Sequence, residues 1–136
     1  MTATGVVEAG TRGILDTSVL IAADVTPIPG QLAISVVSLA ELRFGVLVAK
    51  DSTARSARLA RLVSLERRFE PLPVDESVAD SYGQLAARVV EVGRQPQARA
   101  MDLLIAATAH AHGAALYTRN AADFAGLEDL VQVVPV

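Results

Sequence analysis

The chain contains no cysteine and no tryptophan. The first absence excludes a disulfide framework and thiolate-bound zinc. Two histidines, His110 and His112, are close together and argue against an imidazole-built metal site. Lysine is nearly absent as well: Lys50 is the only one, so positive charge is carried by arginine. No apolar run approaches the roughly 18 residues that a membrane span requires, because the alanine-rich stretches are broken by His, Gly, Arg and Asp. The first eleven residues include Glu8 and have neither a basic region nor a long apolar run, so they read as a loose extension and not as a signal peptide. These absences lead us to expect a soluble, cytoplasmic chain with no membrane partner.

What is present fits one compact domain over residues 12–136: the chain has 136 residues and is 51% hydrophobic, enough for a core but not for a second domain. The formal net charge is −3, the wrong sign for holding nucleic acid by bulk electrostatics. The charge is uneven, however. Arg55, Arg58, Arg61, Arg67 and Arg68 fall in one helical stretch, either a local basic rim or a solvated face balanced by Glu66 and Glu70.

Patterning predicts strands alternating with helices. Gly13 to Leu15 reads as a buried strand ending at Asp16, with Thr17 or Ser18 capping a helix over Val19 to Ala23. Pro27, Pro29 and Gly30 break the chain before a second apolar run, Leu32 to Ser35, and a helix from Val37 to Lys50. A helix over Thr53 to Phe69 carries Leu59, Leu62, Val63 and Leu65, spaced for one buried face. Residues 70–74 hold two prolines and form a short strand or connector; the next helix starts at Asp75 or Ser77 and ends at Gly93, with a buried stripe of Val78, Tyr82, Leu85, Val89 and Val92. A polar loop then leads to a helix from Ala100 to His112, a strand over Ala114 to Thr118, a helical turn over Ala121 to Phe124 and a last strand over Val131 to Val134. This order predicts a three-layer α/β/α domain around a mainly parallel sheet.

Against that pattern, four acids stand in apolar surroundings: Asp16 in GILDTSVLI, Glu41 in SLAELRFG, Asp102 in RAMDLLIAA and Asp123 in TRNAADF. Carboxylates are costly to bury, and a cluster of them calls for a neutralising cation. An all-oxygen donor set favours Mg²⁺ or Mn²⁺ over zinc, which points to a metal-dependent phosphodiesterase. Ligands of parallel sheets gather beyond the carboxyl ends of the strands, where Asp16 and the Thr118, Arg119, Asn120 group both fall. Each acid also has a plain reading: Asp16 as a helix N-cap, Asp102 as a complement to a helix dipole, Glu41 as a surface residue. His110 and His112 read as caps of the last helix turn. Arg43 and Arg119 are candidates for phosphate contact or for pairing with the acids, and Arg99 is a weaker one.

The stretches LDTSVLI, VVSLAELRFG, MDLLIAATA and YTRNAADF, in this order and spacing, resemble the PIN-domain ribonucleases and most closely the VapC toxins of bacterial toxin–antitoxin pairs. The resemblance covers nearly the whole chain. It implies a Mg²⁺-dependent endoribonuclease, with Mn²⁺ as a substitute, that hydrolyses structured RNA such as tRNA or rRNA. It also implies a homodimer and inhibition by a VapB-like antitoxin. Carried over, Asp16, Glu41 and Asp102 fall on the family's metal-site acids. Many relatives have an Asp where this chain has Asn120, so the fourth position is Asn120 or Asp123. Thr17, Ser18 and Thr118 supply hydroxyls to hold the carboxylates, and Arg43 and Arg119 would contact RNA.

Two other readings compete. One is a non-catalytic α/β module whose acidic pocket binds a basic partner peptide. The other is a phosphate-transfer receiver or phosphatase with Asp16 as nucleophile, which lacks a D-x-D pair and has its one lysine inside a helix. Helices over Val36 to Lys50 and Thr53 to Phe69 are apolar enough to leave a groove for an amphipathic antitoxin segment.

Overall fold

The computed structural model describes residues 11–22, 24 and 26–136. Four short strands, β1 (Arg12–Leu15), β2 (Gln31–Ala33), β3 (Ala115–Thr118) and β4 (Val133–Pro135), form a sheet of order β2-β1-β3-β4 in which every pairing is parallel. Five α-helices cover it: α1 (Thr17–Ile21), α2 (Val36–Leu47), α3 (Ser52–Arg68), α4 (Glu76–Glu91) and α5 (Ala100–Ala111). Because successive strand residues face opposite sides, Ile14 and Leu116 enter one core with Val78, Leu85 and Val89 of α4 and Leu103 and Ile105 of α5. Leu15 and Tyr117 enter the other, with Val19 and Leu20 of α1, Leu39 and Val46 of α2 and Leu62 and Leu65 of α3. The expected α/β/α layering is therefore found, with a sheet that is wholly parallel.

Helix starts follow local chemistry. Asp16, Ser35, Asp51 and Asp75 each accept a backbone N–H from the first turn of the helix they precede. The first of these corrects an expectation: Asp16 itself caps α1, so Thr17 and Ser18 are already helical. Ala23, the expected end of that helix, lies outside the described residues, as do residues 1–10 of the expected extension. Thr11 runs beside β2, its carbonyl accepting the Gln31 N–H at 3.0 Å. Gly30 allows this approach: its φ is +109°, and a Cβ there would lie 2.3 Å from the Thr11 carbonyl oxygen.

Several boundaries move. The second helix ends at Leu47 instead of Lys50, and the last strand begins at Val133 instead of Val131, whose N–H is taken by Leu127. Residues 70–74 act as a connector with one parallel bridge, Leu72 to Ser35. The polar loop closes in a 3-10 turn, Pro96–Arg99, that runs straight into α5. The stripe on α3 is only half buried: Leu62 and Leu65 are covered, whereas Leu59 is 47% and Val63 37% exposed. At about 100° per residue the four span roughly 160° of the helix, wider than the part that meets the core. On α4, Val78, Leu85 and Val89 are buried while Val92, at its C-cap, is exposed. Among the described residues no helix is long and apolar enough to cross a membrane.

Candidate active site

Parallel pairing of the two central strands puts their carboxyl ends side by side. Leu15 faces Tyr117 in register, and the next residue along, Asp16, donates its N–H to the Tyr117 carbonyl at 2.9 Å. Asp16 thus lies next to Thr118. Its Oδ2 accepts the Thr118 hydroxyl at 2.8 Å and the Ser18 hydroxyl at 2.9 Å, and its Oδ1 accepts the Thr17 N–H at 2.8 Å. The hydroxyls are fixed in turn: Asn120 N–H donates to Thr118 Oγ1 and Arg119 N–H to Ser18 Oγ, each at 3.0 Å. Asp16 is buried, yet these three bonds leave one of the roughly four acceptor directions of a carboxylate free.

Glu41 comes from the second turn of α2. Thr17 Oγ1 donates to its Oε1 at 2.6 Å and lies 2.9 Å from the hydroxyl of Ser38, which is fully buried one turn before Glu41. Thr17 thereby ties α1 to the acid-bearing face of α2. Asp102 is in the first turn of α5, and Asp123 is in the 3-10 turn after β3, Ala121–Phe124. The Asp102 carboxyl is pushed above its ordinary value of 3.8 by its burial and then by the charges of Asp16, Glu41 and Asp123, with Arg99 opposing. Three acids from three other elements therefore act through space on Asp102. Among the described residues they do not close into a ready cage of three or more metal ligands.

Arg99, the weaker of the arginine candidates in the sequence, is the one that reaches the acids. Its Nη1 lies 2.9 Å from Asp123 Oδ1 and 3.6 Å from Asp102 Oδ2, which makes it the positive charge inside the acidic cluster. The i,i+3 spacing of Arg99 and Asp102 was the available signal. Ser38, part of the VVSLAELRFG stretch, joins the site from one turn ahead of Glu41 on the same helix face. The other two candidate arginines, Arg43 and Arg119, pair away from the site. Arg43, two residues and about 200° around the helix from Glu41, binds Glu66 on α3. Arg119 binds Asp24, an exposed pair that holds that carboxyl below its usual range. Asn120 is exposed and enters the network through its backbone. His110 does not cap the helix end: its Nδ1 is 2.8 Å from the Ser81 hydroxyl on α4.

A cavity of about 500 Å³ opens beside Glu41 and Thr17, between α1, α2 and α3, and its far wall carries Arg58 and Arg61. Those two side chains also bind the carbonyls of Gly45 and Ala22, bracing α3 against its neighbours.

Comparison with known proteins gives this geometry a family. The family model for the PIN domain matches residues 14–129. Ribonuclease VapC5 of Mycobacterium tuberculosis is 41% identical over 127 residues, 89% of this chain and 91% of that protein. Ribonuclease VapC4 of the same organism is 38% identical over 133 residues, 92% of this chain and 97% of that protein. The crystal structure of VapBC-5, a member of the VapBC family of toxin–antitoxin systems from M. tuberculosis, superposes with a TM-score of 0.81 at 41% identity. That match covers 93% of this chain and 99% of the other. Matches of this extent and identity make the chain a member of the PIN domain family, of the VapC type.

Proposed function

We propose that the chain is a metal-dependent endoribonuclease, the toxin of a type II toxin–antitoxin pair, in which Asp16, Glu41 and Asp102 hold Mg²⁺, with Mn²⁺ as a substitute. The observation that carries this reading is the setting of Asp102: its burial, and then the charges of three other carboxylates, raise the affinity of its carboxyl for a proton, and a divalent cation would relieve the same crowding. The donors fit such an ion because all are hard oxygens. A divalent cation bound there would lower the pKa of an attacking water and stabilise charge on the scissile phosphodiester.

The chain's own residues prepare the site. Asp16 is fixed by Ser18, Thr118 and the Thr17 N–H, so its carboxylate needs little ordering when a ligand arrives. Thr17 holds Glu41 in the same manner. Asp123 serves the fourth position, because its carboxylate contributes to the field on Asp102, while Asn120 orients Thr118 through its backbone. Arg119 is the candidate for an RNA phosphate, since its partner Asp24 is exposed and the pair exchanges readily in salt. Arg43 faces α3 and is left out of the contact set. The likeness to ribonucleases of the VapC type and to a member of the VapBC toxin–antitoxin family supports a VapB-like antitoxin partner and RNA as the substrate class; a homodimer and a structured RNA such as tRNA or rRNA complete the proposal. The cavity beside Glu41 offers a place for the antitoxin segment.

The position of Arg99 favours a second reading, a non-catalytic pocket that accepts a partner's arginine, since this acidic cluster already takes a guanidinium. Cleavage separates the two. The purified chain, free of antitoxin, is incubated with total cellular RNA in Mg²⁺ or in chelator. Discrete metal-dependent fragments support the nuclease, and folded protein that leaves all RNA intact supports the binding pocket.

A further inference from the structure

Arg99 stands at the junction of the 3-10 turn and α5, with φ −134° and ψ 32°, and its side chain does not cap the helix. Its guanidinium spans Asp123 on one side and Asp102 on the other, at 2.9 and 3.6 Å, and all three side chains are between one third and two fifths exposed. A cation bound by Asp102 would meet this guanidinium at short range, in a place that solvent screens only in part. The two positive charges draw on the same carboxylates. Arg99 and Asp123 also line a hollow of about 140 Å³ with Arg94, Gln95, Ala98 and Leu103, which leaves the Arg99 side chain room to move off Asp102.

We propose that Arg99 is a positioning residue, an internal counter-ion that holds Asp102 and Asp123 together before a divalent cation arrives and then competes with that cation for them. The inference rests on the reading of these acids as a metal site. It makes metal affinity a balance between carboxylate attraction and guanidinium displacement.

The test is Mn²⁺ binding to the full chain by isothermal titration calorimetry, for wild type, Arg99→Gln and Arg99→Lys. Removing the competing charge should tighten binding by at least about threefold in Arg99→Gln, while Arg99→Lys, which keeps the charge, stays within about twofold of wild type. A merely structural arginine would give the opposite sign, because losing it would loosen the acids and weaken binding. Equal or weaker binding by a folded Arg99→Gln, with wild type binding Mn²⁺, overturns the inference and leaves the metal site standing. Wild type that binds no Mn²⁺ overturns both. Should Arg99→Gln not fold, the Arg99 Nε–Hε resonance of ¹⁵N-labelled wild type, assigned by its loss in Arg99→Lys, decides. It should shift on addition of Mg²⁺, and a resonance that stays in place overturns the proposal.

Discussion

Asp16 accepts the Thr17 N–H as the N-cap of α1 and takes the hydroxyls of Ser18 and Thr118 on its other oxygen, so substitutions there can separate a cap from a charge. Asparagine caps helices as well as aspartate does, and alanine does not. Asp16→Asn should therefore keep the cap through its amide oxygen but lose the acceptor for the Ser18 and Thr118 hydroxyls, and Asp16→Ala should lose the cap as well. Urea unfolding should show alanine about 1 kcal/mol less stable than asparagine and both below wild type. Both should lose RNA cleavage by about a hundredfold or more, since loss of an outer partner of a metal ligand alone costs 10- to 100-fold. Equal cleavage by either variant would leave Asp16 as a cap alone. Asp102 makes a pH prediction. Its raised carboxyl binds a proton more tightly in the folded than in the unfolded chain, so its contribution to stability falls as pH rises from about 3.8 through the raised value. Asp102→Asn removes this cost. The metal-free variant should melt at a higher temperature than wild type at pH 7, and the difference should close below pH 3.8; melting curves across pH check it. The acids were legible in the sequence because each is embedded in apolar residues. The partners of Arg43 and Arg119 were not, because pairing with Glu66 and Asp24, away from the site acids, depends on which helices and loops tertiary packing sets side by side.

At the scale of elements, the contact between β1 and β3 that places Asp16 beside Thr118 depends on Gly13. A Cβ there would lie 2.3 Å from Cε2 of Tyr117, whose ring lies across β1. Gly13→Ala should cost about 1–3 kcal/mol by overpacking, and replacing the ring with the smaller Tyr117→Leu should recover part of that loss in a double mutant, as coupled neighbours do. Additive effects in denaturant unfolding would mean the two do not meet. The start of α4 was legible at Asp75 because capping is local chemistry, whereas at α1 the adjacent Asp16, Thr17 and Ser18 all suit a cap and the sequence does not choose among them. The last strand was misplaced because Val131 has the same apolar character as a strand residue but turns its N–H back to Leu127. Burial on α3 was also beyond the sequence: Leu59 and Leu62 look alike in a helical pattern, and only the way α3 packs against α2 decides which one is covered.

For the molecule as a whole, a net charge of −3 means that RNA binding must come from local geometry and not from bulk attraction. The acids add to that negative charge until a cation joins them, so the folded state should be stabilised by metal. At a free Mg²⁺ concentration one hundred times its Kd, wild type should gain about 2.7 kcal/mol, and Asp102→Asn much less at the same concentration; a gain equal in both would place the ion elsewhere. The central claim is that these acids serve hydrolysis by water, and the chemical ends of the RNA fragments test it most directly. Attack by water leaves the 2′-hydroxyl of the RNA unused. Fragments made in Mg²⁺ should therefore carry no 2′,3′-cyclic phosphate, and they should be absent with chelator and from Asp102→Asn. Cyclic phosphate ends, or the same fragments in chelator, would contradict the account.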